Sequence, residues 1–164
     1  MTRVTVRRVT FPFAFEQRGY SAESGSGELV EGRGYELRDK RDRRVRWDDS
    51  RLAAAGITIL KVAGTSHRAE ELQGDAFRPG SKLNLRPDPA NEFDPQAVGV
   101  WDVAGRNQVG FVPREAAGEI SKRLEQESLE AWTLWEWRDE GGRRVGLRIL
   151  IAPPDALGEL SPLT

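Results

Sequence analysis

Cysteine is absent from this 164-residue chain, and histidine occurs once, as His67. The first absence excludes disulfides and thiolate metal ligands. The second leaves a zinc site without a plausible donor set and confines any His-assisted nucleophile to the surroundings of His67, where nothing supports one. No apolar run approaches membrane-spanning length, and the opening MTRVTVRRVTFPF has no apolar h-region of a secretory signal. No GxxxxGK(S/T) phosphate loop is present, so a motor domain is not expected. Excess charge is also lacking: the formal net charge is −1, although 31% of residues are charged. Bulk electrostatics therefore do not advertise a nucleic-acid binder. The expectation is a cytoplasmic globular protein without cofactor, metal or membrane partner.

What is present is most concentrated in RPDPANEFDPQAV, Arg86 to Val98. Pro87, Pro89 and Pro95 have locked φ, and each drives the residue before it toward extended backbone. Phe93 has no apolar neighbour before Pro95, and Asp94 is its immediate successor. A stiff loop leading into the apolar run from Ala97 to Trp101 is a suitable mount for a recognition pair. Two readings of Phe93 stand open, a solvent-facing ring and a plug folded under the loop. Asp94 likewise either meets a ligand or caps its own turn, as Asx residues commonly do.

The remaining pattern is mainly β. Residues 1–55 read as a β-rich extension too poor in large apolar residues to hold a core alone. Val4 and Val6, then Phe11, Phe13 and Phe15, alternate; Ser21 to Gly27 is a linker or loop tip; Tyr35 to Leu37 and Arg44 to Trp47 suggest two short strands around a polar turn. The run from Arg38 to Arg46 carries six basic residues against two acidic ones, as a solvated hairpin face or a phosphate groove. Residues 56–153 read as the main domain. Ile57 to Gly64 is a buried strand, Ser66 to Gly74 permits one or two helical turns, and Lys82 to Leu85 enters the Pro-rich loop as a strand. Ala97 to Val103 and Gln108 to Val112 form a hairpin. Pro113 opens a helix whose Ala116, Ala117, Ile120 and Leu124 make one stripe. Trp132 to Arg138 and Arg144 to Ala152 form a last hairpin around Asp139 to Gly142, with Val145, Leu147, Ile149 and Ile151 on one face. Regular alternation sends Trp132 and Trp135 to opposite faces, the outer one against the extension. Residues 154–164 read as a loose tail. Strands joined by loops too short for crossovers predict a small OB-like, partly open β-barrel with one or two helices and an N-terminal β-rich extension.

The order of VAGTSHR (Val62 to Arg68), RPDPANEFDPQAVGV (Arg86 to Val100) and QVGFVPREAAGEI (Gln108 to Ile120) resembles the HIRAN domain, over roughly residues 57 to 152. The resemblance implies a non-catalytic module that binds single-stranded DNA, preferring a free 3′-hydroxyl end, in repair or replication-related processes. Such modules accompany helicase-like engines or nucleases in larger proteins and resemble stand-alone bacterial proteins. It places Phe93 where the family stacks a Tyr, Asp94 on the acid that receives the terminal hydroxyl, Asn91 on the loop-shaping Asn, and Arg114 on a basic residue that approaches phosphate. Phe111 stands where His is frequent. Ser66, His67 and Arg68 replace Arg-Tyr-Tyr of animal members, which removes two aromatic platforms; His67 and Arg68 are able to substitute by stacking and phosphate contact. Arg86, Arg68 and Arg114 would hold the last phosphates.

That residue set suits the chemistry. Base–aromatic stacking contributes about 1–3 kcal/mol per base in any sequence. A carboxylate in a DNA groove repels phosphates, yet accepts a charge-assisted hydrogen bond of about 1.5–3 kcal/mol from a hydroxyl at a chain end. The ring with its acid therefore selects termini over continuous strand. Local pattern alone also permits Phe111 as barrel core, Arg114 and His67 as solvated surface residues, and the Trp group as hairpin packing. Two competing functions remain: a protein-interaction module docking a helicase or nuclease through the basic run, and a metal-dependent nuclease using Asp88, Asp94 and Asp102. The second is weak, because hard cations want convergent carboxylates.

Overall fold

The computed structural model describes residues 7–9, 22–23, 29–38 and 43–157. In chain order, strands β1 (Arg7–Val9), β2 (Ala22–Glu23), β3 (Leu29–Gly34), β4 (Glu36–Arg38) and β5 (Arg44–Val45) precede a short helix, α1 (Ser50–Ala54). Strand β6 (Thr58–Lys61) follows, then three single 3₁₀ turns within residues 65–77. Strands β7 (Lys82–Pro87), β8 (Val98–Asp102) and β9 (Gln108–Phe111) lead to helix α2 (Arg114–Gln126). The hairpin of β10 (Glu130–Arg138) and β11 (Arg144–Ala152) completes the fold. The alternating residues Val4, Val6, Phe11, Phe13 and Phe15 lie outside the described residues, as do most of Ser21 to Gly27, residues 39–42 of the basic run, and residues 158–164.

Six antiparallel strands, in the order β6, β11, β10, β7, β8, β9, form a partly open barrel, so the chain is mainly β with two α-helices among the described residues. The open seam narrows at one bridge. Ala63 donates to the Phe111 carbonyl at 2.8 Å and accepts from the Phe111 amide at 2.9 Å. Gly110 permits this approach, since a Cβ there would collide with the Ala63 carbonyl oxygen.

The barrel interior is filled from every strand by alternation. Leu60, Leu83, Val98, Val100, Val109, Leu147, Ile149 and Ile151 belong to one buried cluster. Helix α2 covers it with the expected stripe: Ala117 and Ile120 are buried in that cluster, and Ala116 and Leu124 pack against it. Pro113 stands one position earlier than anticipated, as the N-cap residue of α2.

A second cluster lies outside the barrel wall. Ile59, Trp132, Leu134, Leu150 and Ala152 face outward from the wall and are covered by Leu37, Val45 and Leu52. These come from β4, β5 and α1, so the N-terminal strands act as a lid on the last hairpin. Strand β3 adds to the wall itself, pairing Gly34 with Trp135 through Glu31 with Arg138. The anticipated pair of short strands is present, with Leu37 opposite Val45.

Two β-bulges correct the expected side-chain directions. Thr133 pairs with Ile149 but Trp135 pairs with Arg148, leaving Leu134 as an extra residue. Alternation is reset there, so Trp135 lines the outer surface with Leu134 and Trp137, on the same side as Trp132. At the other end, Trp137 pairs with Gly146 and Arg138 with Arg144, which bulges Val145 outward. Val145 is 40% exposed and does not join Leu147, Ile149 and Ile151.

In place of Val145, the neighbouring Arg144 is buried. Its Nε donates to Glu136 Oε2 at 2.6 Å, and its Nη1 donates to the carbonyls of Leu72 and Gly74 at 2.7 and 2.8 Å. Both residues are 3% exposed. Gln73 completes the link, accepting from the Arg144 amide and donating to its carbonyl, each at 2.8 Å. This network straps the 3₁₀ segment onto the last hairpin. Removing one partner of a buried pair strands the other charge, so Glu136→Ala should lose about 3–5 kcal/mol in urea unfolding.

The β8–β9 turn closes on Asp102, which is buried. Its Oδ1 accepts from the Arg106 amide at 2.7 Å and its Oδ2 from Asn107 Nδ2 at 3.1 Å. Burial pushes its pKa up, but the amides of Arg106, Asn107 and Gly105 together with the Asn107 side chain outweigh it and hold the pKa below the usual carboxylate value. A depressed folded value contributes stability above the unfolded value, about pH 4, that is lost as pH falls through the folded one. Asp102→Asn should therefore be less stable at neutral pH and lose stability less steeply below about pH 4, as read by acid titration of unfolding.

Candidate functional site

The loop between β7 and β8 is organised by side chains that bond their own backbone. Its base is pinned by Asp88 N–H donating to the Ala97 carbonyl at 2.8 Å. Asn91 then works in both directions. Its Nδ2 donates to Asp88 Oδ2 at 3.1 Å, and its Oδ1 accepts from the amides of Phe93 and Asp94 at 2.9 and 3.1 Å. Asp94 Oδ1 in turn accepts from the Gln96 amide at 2.9 Å. With three prolines restricting φ, little freedom remains in the loop.

The consequence is the exposure of Phe93. Its ring is 86% exposed, the most exposed large hydrophobic side chain among the described residues, so it does not plug the loop. The barrel beneath has no vacancy for it, since Val98 and Val100 are fully buried in a filled interior. The two readings of Asp94 divide between its oxygens. Oδ1 caps the turn, whereas Oδ2 receives no hydrogen bond from the described residues, and the residue is half-buried.

Around this loop the fold assembles most of the other sequence-derived candidates. Gln96 occupies the space that a Cβ on Gly118 would need, so the loop rests on α2. Val112 donates to the Val98 carbonyl at 2.9 Å, which sets the start of α2 and exposed Arg114 beside the loop's exit. Arg114 makes no hydrogen bond or ion pair among the described residues. Phe111 is half-buried and outside both core clusters, so it is not barrel core: Val109 and Val112 take that role. The Ala63–Phe111 bridge joins it to the 3₁₀ turn Thr65–Arg68, on which Ser66 and His67 are exposed.

Arg86 is the exception. It pairs across the sheet with Gly99, but its guanidinium stands 5.0 Å from the Trp101 ring centre and its Nη1 donates to the Gly105 carbonyl at 3.4 Å. That contact belongs to the hairpin end of β8, opposite the Phe93 loop. Trp101 itself is a candidate missed from sequence. Its indole and the Gln108 amide lie over Gly99, filling the place a side chain there would take. Gln108 Oε1 also accepts from Arg68 Nη2 at 3.5 Å. Phe111, Trp101 and Arg86 thus share the outer face of β8 and its neighbours. The signal was available for Trp101: with Val98 and Val100 inward, parity places it outward.

The three acids weighed for metal chemistry do not converge. Asp102 is occupied by the turn at the far end of β8, and Asp88 bonds Asn91. Among the described residues no group of three or more His, Cys, Asp or Glu is placed to hold a metal ion. Nor is any described helix long and apolar enough to cross a membrane.

The family model described as HIRAN domain matches residues 56–152, more than half of the chain. Among solved structures, a protein from Lactobacillus plantarum is similar at 17% identity and a TM-score of 0.44, over 57% of this chain and 89% of that one. The HIRAN domain of human HLTF is similar at 20% identity and a TM-score of 0.44, over 66% of this chain and 85% of that one. No curated protein matches the chain. The extent of the family match settles the classification: the chain belongs to the HIRAN domain family.

Proposed function

We propose that this chain is a non-catalytic module that engages single-stranded DNA at its 3′-hydroxyl end, in a repair or replication-related process. The observation that carries the reading is the 86% exposure of Phe93 beside an Asp94 oxygen with no hydrogen-bond donor among the described residues. The terminal base stacks on Phe93. The 3′-hydroxyl donates to Asp94 Oδ2, while Oδ1 stays engaged by the Gln96 amide and keeps the carboxylate oriented. Arg114, at the start of α2, meets the last phosphate, where the free amides of the first helical turn also favour an anion. Arg68 and exposed His67, on the 3₁₀ turn that follows the Ala63–Phe111 bridge, supply a further cation and ring. Arg86 on Trp101 stands further along the sheet and meets the strand upstream of its end.

Selectivity follows from charge. A 3′-phosphate or a continuing strand would bring an anion against Asp94, whereas a hydroxyl supplies a donor. Each phosphate neutralised by arginine adds salt dependence.

Fluorescence anisotropy with full-length protein tests this. A 3′-hydroxyl oligonucleotide should bind more tightly than the same strand with a 3′-phosphate or with only its 5′ end exposed. Equal affinity for all three would remove the end-reading role. Phe93→Ala should weaken binding by about 1–3 kcal/mol through loss of stacking. Asp94→Asn keeps an acceptor for the Gln96 amide and should narrow the gap between hydroxyl and phosphate ends. Asn91→Ala deletes the three side-chain bonds that shape the loop and should weaken 3′-hydroxyl binding with a stability loss of about 1–2 kcal/mol.

A further inference from the structure

A second surface combines flat rings with positive charge, and it lies away from the Phe93 loop. A cleft of about 560 Å³ opens outside β10 and β11, three of its walls being Trp47, Trp135 and Trp137. Its charged lining residues among those described are Arg44, Arg46 and Arg148, with no carboxylate. Going around the barrel, β7 and β6 separate these strands from β8 and β9, which carry the end-reading site.

The rings and cations are held in a row. The Arg148 guanidinium stands 4.7 Å from the Trp47 ring centre and 5.2 Å from that of Trp137, and Lys61 Nζ stands 5.1 Å from the Trp137 centre. Trp47 is 50% exposed although it sits at this apolar contact, so part of the ring is open to a further stacking partner. Arg46 is at the rim, where its Nε donates to Asp48 Oδ1 at 3.2 Å, both side chains well exposed to solvent. Trp47, Arg44 and Arg46 precede the residues matched by the family model, so the cleft exists only because the N-terminal strands dock on the domain.

We infer that this cleft is a second binding site, for an internal stretch of single-stranded nucleic acid. Exposed indole accepts any base, and the arginines match the phosphates on either side of it. The contrast with the first site is in the acid. Asp94 disfavours a continuing backbone, whereas the cleft, with no carboxylate among its described lining residues, accepts it. Duplex DNA keeps its base faces stacked and so cannot use Trp47. An acidic peptide would satisfy the arginines but leave the indole unmatched.

A circular oligothymidylate is the decisive probe, because it has no ends for the Phe93 site to read. The full chain should bind it with marked salt dependence. Trp47→Ala should weaken that binding about tenfold, in keeping with the loss of one stacked base. Trp47→Phe should retain most of the affinity, and Arg46→Glu should lose it. Phe93→Ala should leave circle binding within about twofold of wild type. Since Trp47 is half-exposed, its variants retain the fold, and unfolding curves check this. Absence of circle binding, wild-type affinity in Trp47→Ala, or stronger displacement by polyglutamate than by linear oligothymidylate would overturn the inference. The end-reading proposal is judged separately, by linear strands and Phe93, so either can fail while the other stands.

Discussion

The last hairpin is apolar on two faces, and the rest of the molecule is arranged to keep water from both. Leu147, Ile149 and Ile151 close the barrel interior, while Leu150 and Ala152, one residue out of phase, join an outer cluster. Leaving that outer face in water would forfeit burial worth about 25 cal/mol for each Å² of apolar surface. The N-terminal strands answer this with a few side chains, Leu37, Val45 and Leu52. They are too few for a core of their own but enough for a lid. On the same hairpin, Glu136 and Arg144 meet in a buried ion pair that also captures the carbonyls of residues 72 and 74. One hairpin therefore positions the outer layer and the 3₁₀ segment that carries Ser66, His67 and Arg68.

The Phe93 loop obeys a different logic. Proline dihedrals and short side-chain-to-backbone bonds hold it. Such a loop loses little conformational freedom when a ligand arrives, because its order has already been established in the free protein. Rigid elements also hold its exit, where Gln96 rests on α2 and Val112 donates to the Val98 carbonyl. An aromatic ring can remain in water there because the interior is already full and the backbone amide of Phe93 is bound by Asn91.

Charge placement distinguishes the surfaces of this nearly neutral protein. Asp102 is spent on its own turn, Glu136 on buried arginine, and Asp88 on Asn91. These acids perform structural work at sites where arginine or amide partners surround them. Asp94 keeps one oxygen without such a partner among the described residues, next to the exposed ring. The cleft outside β10 has cations and rings without an acid among its described lining residues. Net charge conceals this separation, because the sum cancels what the fold keeps apart.

Much of the architecture was legible before any coordinates. Short-range rules govern the hairpin at Asp139 to Gly142, the stripe Ala116, Ala117, Ile120 and Leu124 on α2, and the proline-stiffened loop, because each depends on neighbours within a few positions. Family motifs likewise singled out Asn91, Phe93 and Asp94. Directions of side chains were less accessible. Two bulges, at Leu134 and Val145, turned Trp135 and Val145 to faces that strict alternation does not assign them. Arg86 carried a motif position but found Trp101 across the sheet. Strands, the long helix and the stiff loop follow from residue order alone, since propensity and period are local properties. That Phe93 faces water, that Arg144 is buried and that Trp47 meets Arg148 emerge only on folding, because those outcomes depend on register and on which distant segment covers each face.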